Sequence, residues 1–196
     1  MKTINRLAVS ICFLICSFSA KSQLQKGNVL LGADIANMDL SLNTGSNFSA
    51  LLNPKFARFL KDNFALGGYI NFRLSTAKGA GTSVGYGIGP LARYYFGDGS
   101  GDLANHGRFF VEGNAGFEGS NPAVGNSTNG LGLGIGPGLV YFMTSNIGLE
   151  ILLKYQGIIG FGSSVTSSDL TLAYGVQIYL PHKTLEKASG MKPDVK

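Results

Sequence analysis

The sequence predicts an all-β protein, an eight-stranded antiparallel up-and-down barrel that crosses a membrane. Three observations predict it. After residue 22 no apolar run is long enough for a transmembrane helix. In its place, stretch after stretch alternates with a period of two, the signature of a strand whose successive side chains point to opposite faces. One face of each stretch is bulky and apolar. The other is small or polar, in a chain that is only 14% charged and holds 29 glycines.

The stretch from Pro137 to Gly157 is the clearest. Leu139 and Tyr141 alternate with Gly138 and Val140 on the way into a tight turn. On the way out, Ile147, Leu149, Ile151, Leu153 and Tyr155 make one face, and Gly148, Glu150, Leu152, Lys154 and Gln156 the other. Strand one starts at Gly27, with Val29, Leu31, Ala33 and Ile35 opposite Asn28 and Asp34. Met38, Leu40 and Leu42 fall in the opposite phase, which needs a bulge near Asn37 or the end of the strand. Strand two, from about Ala50 to Leu60, groups Leu52, Pro54, Phe56 and Arg58. Strand three sets Leu66, Gly68, Ile70, Phe72 and Leu74 against Ala65, Tyr69, Asn71 and Arg73. Strand four sets Val84, Tyr86, Ile88, Pro90, Ala92, Tyr94 and Phe96 against Gly85, Gly87, Gly89, Arg93 and Tyr95.

Strand five sets Phe109, Val111, Ala115 and Phe117 against Arg108, Glu112, Asn114 and Glu118. Strand six begins at Gly130, and strand eight alternates from Leu170 to Leu180 before Pro181 ends it. Residues 43–47, 76–81, 97–107, 119–129 and 161–168 read as connections from their Gly, Ser, Asn and Asp content. The connections after strands one, three, five and seven are expected to be the longer ones, with 97–107 as a departure. A repeat runs through the chain: PKFARFLKDNFALGGYI from Pro54, PGLVYFMTSNIGLEILL from Pro137, and the half-match GPLARYYF around Pro90. One hairpin type recurring is expected of an up-and-down barrel.

Residues 1–22 read as a secretory signal. Lys2 and Arg6 form the basic start, Leu7 to Phe18 the apolar core, and Ala20-Lys21-Ser22 a cleavage site before Gln23. Both cysteines, Cys12 and Cys16, lie there, so the exported chain has no thiol for a disulfide or metal site. Ile11 and Ile15 precede them, where a lipoprotein site needs a small residue. Without Lys2, Arg6 and Lys21 the chain keeps 13 basic and 11 acidic residues, about +2, which points to no nucleic-acid partner. The expected organisation is signal peptide 1–22, barrel 23–180 and polar tail 181–196.

The polar faces indicate which way the sheet curls. Turned inward, they gather Asp34, Lys55, Arg73, Arg93, Arg108, Glu112, Glu150 and Lys154, whose mixed signs can pair. An eight-stranded barrel is just filled by side chains. Turned outward, they would make a soluble, lipocalin-like cup with an unusually Gly-rich surface. The membrane reading is preferred. Tyr94, Phe96, Phe117, Tyr141 and Tyr155, near strand ends, suit interfacial girdles.

On PKFARFLKDNFALGGYI, GPLARYYF, PGLVYFMTSNIGLE and the signal ending SAKSQ, the chain resembles the small, porin-like outer-membrane β-barrels of Gram-negative bacteria over Gly27 to Leu180. The resemblance implies an eight-stranded barrel in the cell outer membrane with no shared catalytic residues. The expected partners are outer-membrane lipid and lipopolysaccharide, with no nucleic acid, and the expected state is a monomer. The expected role is non-enzymatic, structural or in surface interaction. The alternatives are a narrow pore, an enzyme acting on lipid A, and the soluble cup.

No catalytic, cofactor-binding or metal-ligating residue stands out. GLGLGIGPG and GYGIGP are plain alternations with no following helix, so they are barrel wall rather than phosphate loops. Asn47 and Asn126 match glycosylation triplets that are frequent by chance. His106 and His182 fall outside the strands, without ligand spacing, and are expected to be solvated. Glu112 and Glu150 are read as partners for Arg93 or Lys154 rather than as a catalytic pair. Ser163, Ser164, Ser167 and Ser168 are read as loop serines with no histidine on their side of the membrane.

Lack of cysteine in the exported chain makes any introduced one a unique probe. With both chain ends in the periplasm, Ser164→Cys should react with an impermeant maleimide in intact cells, and Ser145→Cys only after the outer membrane is breached. Ile151→Cys should resist the aqueous reagent and be quenched by a lipid-borne one. No lipid contact at 151, with both other sites labelled equally, would mean that the apolar face points inward.

Overall fold

The protein is described by a computed structural model, which covers residues 23–40, 47–77, 79, 81–97, 106–161 and 166–182. Residues 1–22, expected to be a signal peptide and holding Cys12 and Cys16, most of the C-terminal tail, and Ser163 and Ser164 lie outside the described residues. Eight strands form a closed barrel in sequence order. They are β1 (Val29–Leu40), β2 (Asn47–Lys61), β3 (Phe64–Ala77), β4 (Gly81–Tyr95), β5 (Gly107–Asn121), β6 (Thr128–Phe142), β7 (Ile147–Gly160) and β8 (Thr166–Leu180). Each pairs antiparallel with the next, and β1 closes on β8 from Val29↔Leu180 to Ala36↔Ala173.

The apolar face points outward. Ile70, Ile88, Ile135, Ile151 and Val176 are each about half exposed, and they sit on five different strands. Among soluble proteins such a continuous belt would aggregate, whereas lipid covers it at no cost. The soluble-cup alternative is therefore set aside by the pleat itself. Val29 is the exception on its face, being buried. The phase flip in β1 is a register shift between Ala36 and Asp39, so the strand bulges and continues rather than ending.

Several boundaries differ from the sequence expectation: β2 starts at Asn47 rather than about Ala50, β3 runs on to Ala77, and three more matter here. β5 runs on to Asn121, β6 starts at Thr128, and β8 starts at Thr166, which puts Ser167 and Ser168 in a strand rather than a loop. Here backbone pairing outlasts the apolar alternation: Ser120 pairs with Thr128, and Ser167 with Ile158. Past the lipid, a strand needs no apolar face, so the pattern that marks it fades. The connections at this far end, 41–46, 78–80, 122–127 and 161–165, are consequently short. The longest connection, 96–106, lies at the end that carries the chain termini. Set against the other two turns at that end, 62–63 and 143–146, the far-end connections are longer on average, as expected, and 96–106 is the expected departure.

The sequence repeat is a structural one. Pro54, Pro90 and Pro137 each lack the N–H that a ladder needs. At each, pairing with the following strand lapses for two residues and resumes in the same register: Leu52↔Phe72 to Lys55↔Tyr69, Ile88↔Phe117 to Leu91↔Asn114, and Ile135↔Tyr155 to Gly138↔Leu152. Four residues past each proline lies an outward Arg58, Tyr94 or Tyr141, and five past lies an inward Phe59, Tyr95 or Phe142. The turns match as well. The Asn63 carbonyl accepts from the Tyr95 N–H at 2.9 Å, and the Asn146 carbonyl from the Tyr179 N–H at 2.7 Å. Asn63 has φ 64°, a left-handed conformation that asparagine tolerates better than most side chains.

Position along the outward face sets the cost of a charge there. Ile151→Arg, at mid-strand, should destabilise the folded barrel by roughly 2–4 kcal/mol, and Met143→Arg, beside a turn, by about 0–1 kcal/mol. Urea titration in lipid vesicles would read both; equal costs would contradict the lipid-facing assignment.

Candidate functional site: the barrel interior

Viewed from the end with the chain termini, the interior is layered. The first layer is aromatic: Phe59, Tyr95, Phe110, Phe142 and Tyr179, all at most 4% exposed. Their rings lie 5.0 Å (Phe142–Tyr179), 5.5 Å (Tyr95–Phe110) and 5.8 Å (Phe59–Tyr95) apart. These are ordinary contact distances for tilted and edge-on aromatic pairs. The Tyr95 and Tyr179 hydroxyls hydrogen-bond to one another at 2.9 Å. Gly138 has no side chain because the Phe110 ring occupies its inner face.

Residues 23–28 lie across this end. The Leu24 carbonyl accepts from the Asn63 N–H at 2.8 Å, and the Lys26 N–H donates to Asp62 Oδ1 at 2.7 Å. On the opposite side, Gln23 Nε2 donates to the Thr144 carbonyl at 3.4 Å. Asn28 Oδ1 accepts from the His182 N–H at 3.1 Å. The histidines are thus not simply solvated. His182 packs over Gly27, and His106 gives its carbonyl to the Phe142 N–H at 2.9 Å with its ring 5.9 Å from that of Tyr141.

The second layer is charged. Arg93 donates to Glu112 Oε2 through Nε (3.1 Å) and Nη2 (2.5 Å), and to Glu150 through Nη1 (2.7 Å) and Nη2 (3.0 Å). Its guanidinium carbon also lies 4.1 Å from the centre of the Phe110 ring. Lys55 pairs with Asp34, with Glu112 at 2.9 Å and with Glu150 at 3.6 Å. Lys154 reaches Glu112 Oε1 at 3.1 Å. Gln177 closes the network, donating to Asp34 Oδ1 (2.9 Å) and Glu150 Oε1 (2.8 Å). Three acids face three bases, so the layer is neutral, as buried charges require. Six of the eight sequence-expected interior charges meet here.

The other two do not. Arg108 is buried near the termini and donates to the Gly107 carbonyl at 2.8 Å. Arg73 sits at the far rim, 3.2 Å from Asp169 and partly exposed. Glu112 is held by Arg93, Lys55 and Lys154, and Glu150 by Arg93 and Lys55 rather than by Lys154. Among the described residues no group of His, Cys, Asp or Glu is arranged to hold a metal ion.

The third layer, toward the far end, is polar. Tyr69 donates to Glu118 Oε1 at 2.8 Å, and Gln156 Nε2 lies 2.5 Å and 2.6 Å from the two Glu118 oxygens. A cavity of about 70 Å³ opens here, lined by Asn71, Arg73, Glu118 and Gln156 among others. A wider apolar concavity of about 770 Å³ lies outside the barrel, between Leu139, Tyr141, Ile151, Leu172 and Tyr174. It belongs to the lipid-facing belt.

Sequence reasoning missed Phe59, Phe110 and Phe142 as interior residues. Strand phase was signal enough, because each is one step from a residue assigned outward. No protein-family model matches the chain. No curated protein matches it in sequence. Among solved structures it is similar to Neisserial surface protein A (18% identity, 77% of this chain and 95% of the other, TM-score 0.53). It is similar also to the N-terminal β-barrel domain of Pseudomonas aeruginosa OprF (16%, 79% and 98%, TM-score 0.52). Both likenesses lie in the fold, a small β-barrel. The outer membrane enzyme PagL matches more loosely (18%, 78% and 99%, TM-score 0.40).

Arg93 spans two carboxylates, and Lys154 touches one. Arg93→Met should therefore cost about 3–5 kcal/mol by leaving both acids short of a partner, and Lys154→Met clearly less. Urea midpoints in vesicles would check the order; a reversed order would show that the network is not centred on Arg93.

Proposed function

We propose that this chain is a non-enzymatic, non-conducting barrel of the Gram-negative outer membrane, a monomer in lipid and lipopolysaccharide with a structural or surface-interaction role. The proposal keeps the domain plan of signal 1–22, barrel 23–180 and tail 181–196. Both chain ends are assigned to the periplasm and the connections 41–46, 78–80, 122–127 and 161–165 to the cell surface. The observation that carries it is the neutral ion network stacked on the aromatic layer. Arg93, Lys55, Glu112 and Glu150 are each fully or almost fully buried, and they meet in the middle of the lumen. An eight-stranded barrel has no width left for water once such side chains meet.

The non-enzymatic part rests on a narrower observation. Acyl chemistry on lipid A needs a nucleophile with a base beside it at the outer leaflet. Ser168 is exposed in β8 toward that end, while His106 and His182 both lie at the other.

Planar-bilayer recording of the purified protein should give little steady conductance. Large, stable unitary currents from the wild-type chain would overturn the plugged reading and favour the narrow pore.

A further inference from the structure

The acids and bases of the interior do not balance layer by layer. Asp34, Glu112 and Glu150 are matched by Lys55, Arg93 and Lys154, and Asp169 by Arg73. That leaves two buried charged residues outside every ion pair among the described residues, Arg108 at the terminal end and, here, Glu118, which is only 3% exposed. Both of its oxygens accept hydrogen bonds, and the donors, Tyr69 and Gln156, are neutral. A buried charge of this kind needs a counter-charge.

A second observation points to the same place. Asn71 is 6% exposed, lines the same 70 Å³ cavity, and its Oδ1 has no hydrogen-bond partner in the protein. The two side chains converge over Gly87. A β-carbon there would sit 2.8 Å from Glu118 Cγ and 3.4 Å from Asn71 Cβ. The cavity faces the far end of the barrel, above the sealed layers.

We propose that this cup binds one small monovalent cation, an alkali-metal ion or ammonium, between the Glu118 carboxylate and the Asn71 amide oxygen. The donors are all hard oxygens. A single carboxylate with neutral partners falls short of the several acidic ligands typical of calcium sites. The volume suits an ion with a few waters and excludes a larger ligand. The rival source of positive charge is Arg73, which lines the same cavity and would have to leave Asp169 to reach Glu118.

The test is urea unfolding in zwitterionic-lipid vesicles. Sodium, potassium or ammonium chloride would replace N-methylglucamine chloride at fixed ionic strength, with calcium chloride as a separate arm. Saturable stabilisation is expected, with the folded-to-unfolded ratio rising about tenfold near ten times the dissociation constant. Glu118→Gln should abolish the cation dependence, Asn71→Leu should weaken it, and Arg73→Gln should leave it intact. If Glu118→Gln fails to assemble, Asn71→Leu keeps the charge and decides alone. The proposal is overturned by an equal response in wild type and Asn71→Leu, by a response to calcium only, or by a dependence that emerges only in Arg73→Gln. Conductance plays no part in this readout, so the plugged reading stands or falls separately.

Discussion

Arg93 is the residue on which the interior depends. Its guanidinium bridges Glu112 on β5 and Glu150 on β7 while lying against Phe110. Through Lys55, Asp34 and Gln177 the same network reaches β1, β2 and β8, so one neutral cluster joins six of the eight strands across the lumen. Backbone ladders hold each strand only to its neighbours. The ion network holds strands that never touch. Arginine suits this place better than lysine because its planar fork serves two carboxylates at once.

The space for that network comes from β6. Its inward positions Gly134 and Gly138 add no side chains to the lumen, and Asn114, Lys154 and Phe110 fill the room, while at Gly136 the β7 backbone at Leu153 and Lys154 comes too close for a side chain. The row of glycines that resembles a phosphate loop in sequence is thus the blank wall of a crowded barrel. Its regular spacing is the pleat, one glycine for each inward step.

Much of this was legible in the residues. The strand count, the outward apolar face, the bulge option in β1 and the pairing of Glu112 and Glu150 with bases all follow from period-two alternation and charge balance. Two kinds of information were not legible. Strand ends beyond the lipid carry no apolar face, so Thr128 and Thr166 read as loop although they are paired. The aromatic layer was hidden for the opposite reason. Phe59, Phe110 and Phe142 stand next to the outward residues Arg58, Phe109 and Tyr141, and a bulky apolar residue inside the lumen contradicts a simple polar-in rule. Nor does a sequence tell which base reaches which acid. That Arg73 stays at the rim with Asp169 while Arg93 takes two glutamates is decided by their height along the strands.

Residues 23–28 tie the β2–β3 turn to the β6–β7 turn across the diameter of the barrel. This segment is therefore a structural joint and a poor handle. A purification tag placed there would begin inside packed surroundings, since Gln23 and Leu24 are both buried. It would push on the contacts that cover the aromatic layer. The connection 122–127 is the better site for an epitope, because Val124 is 84% exposed and the strands that flank it are already fully paired. Any comparison of tagged and untagged protein, in conductance or in stability, measures this joint as well as the property intended.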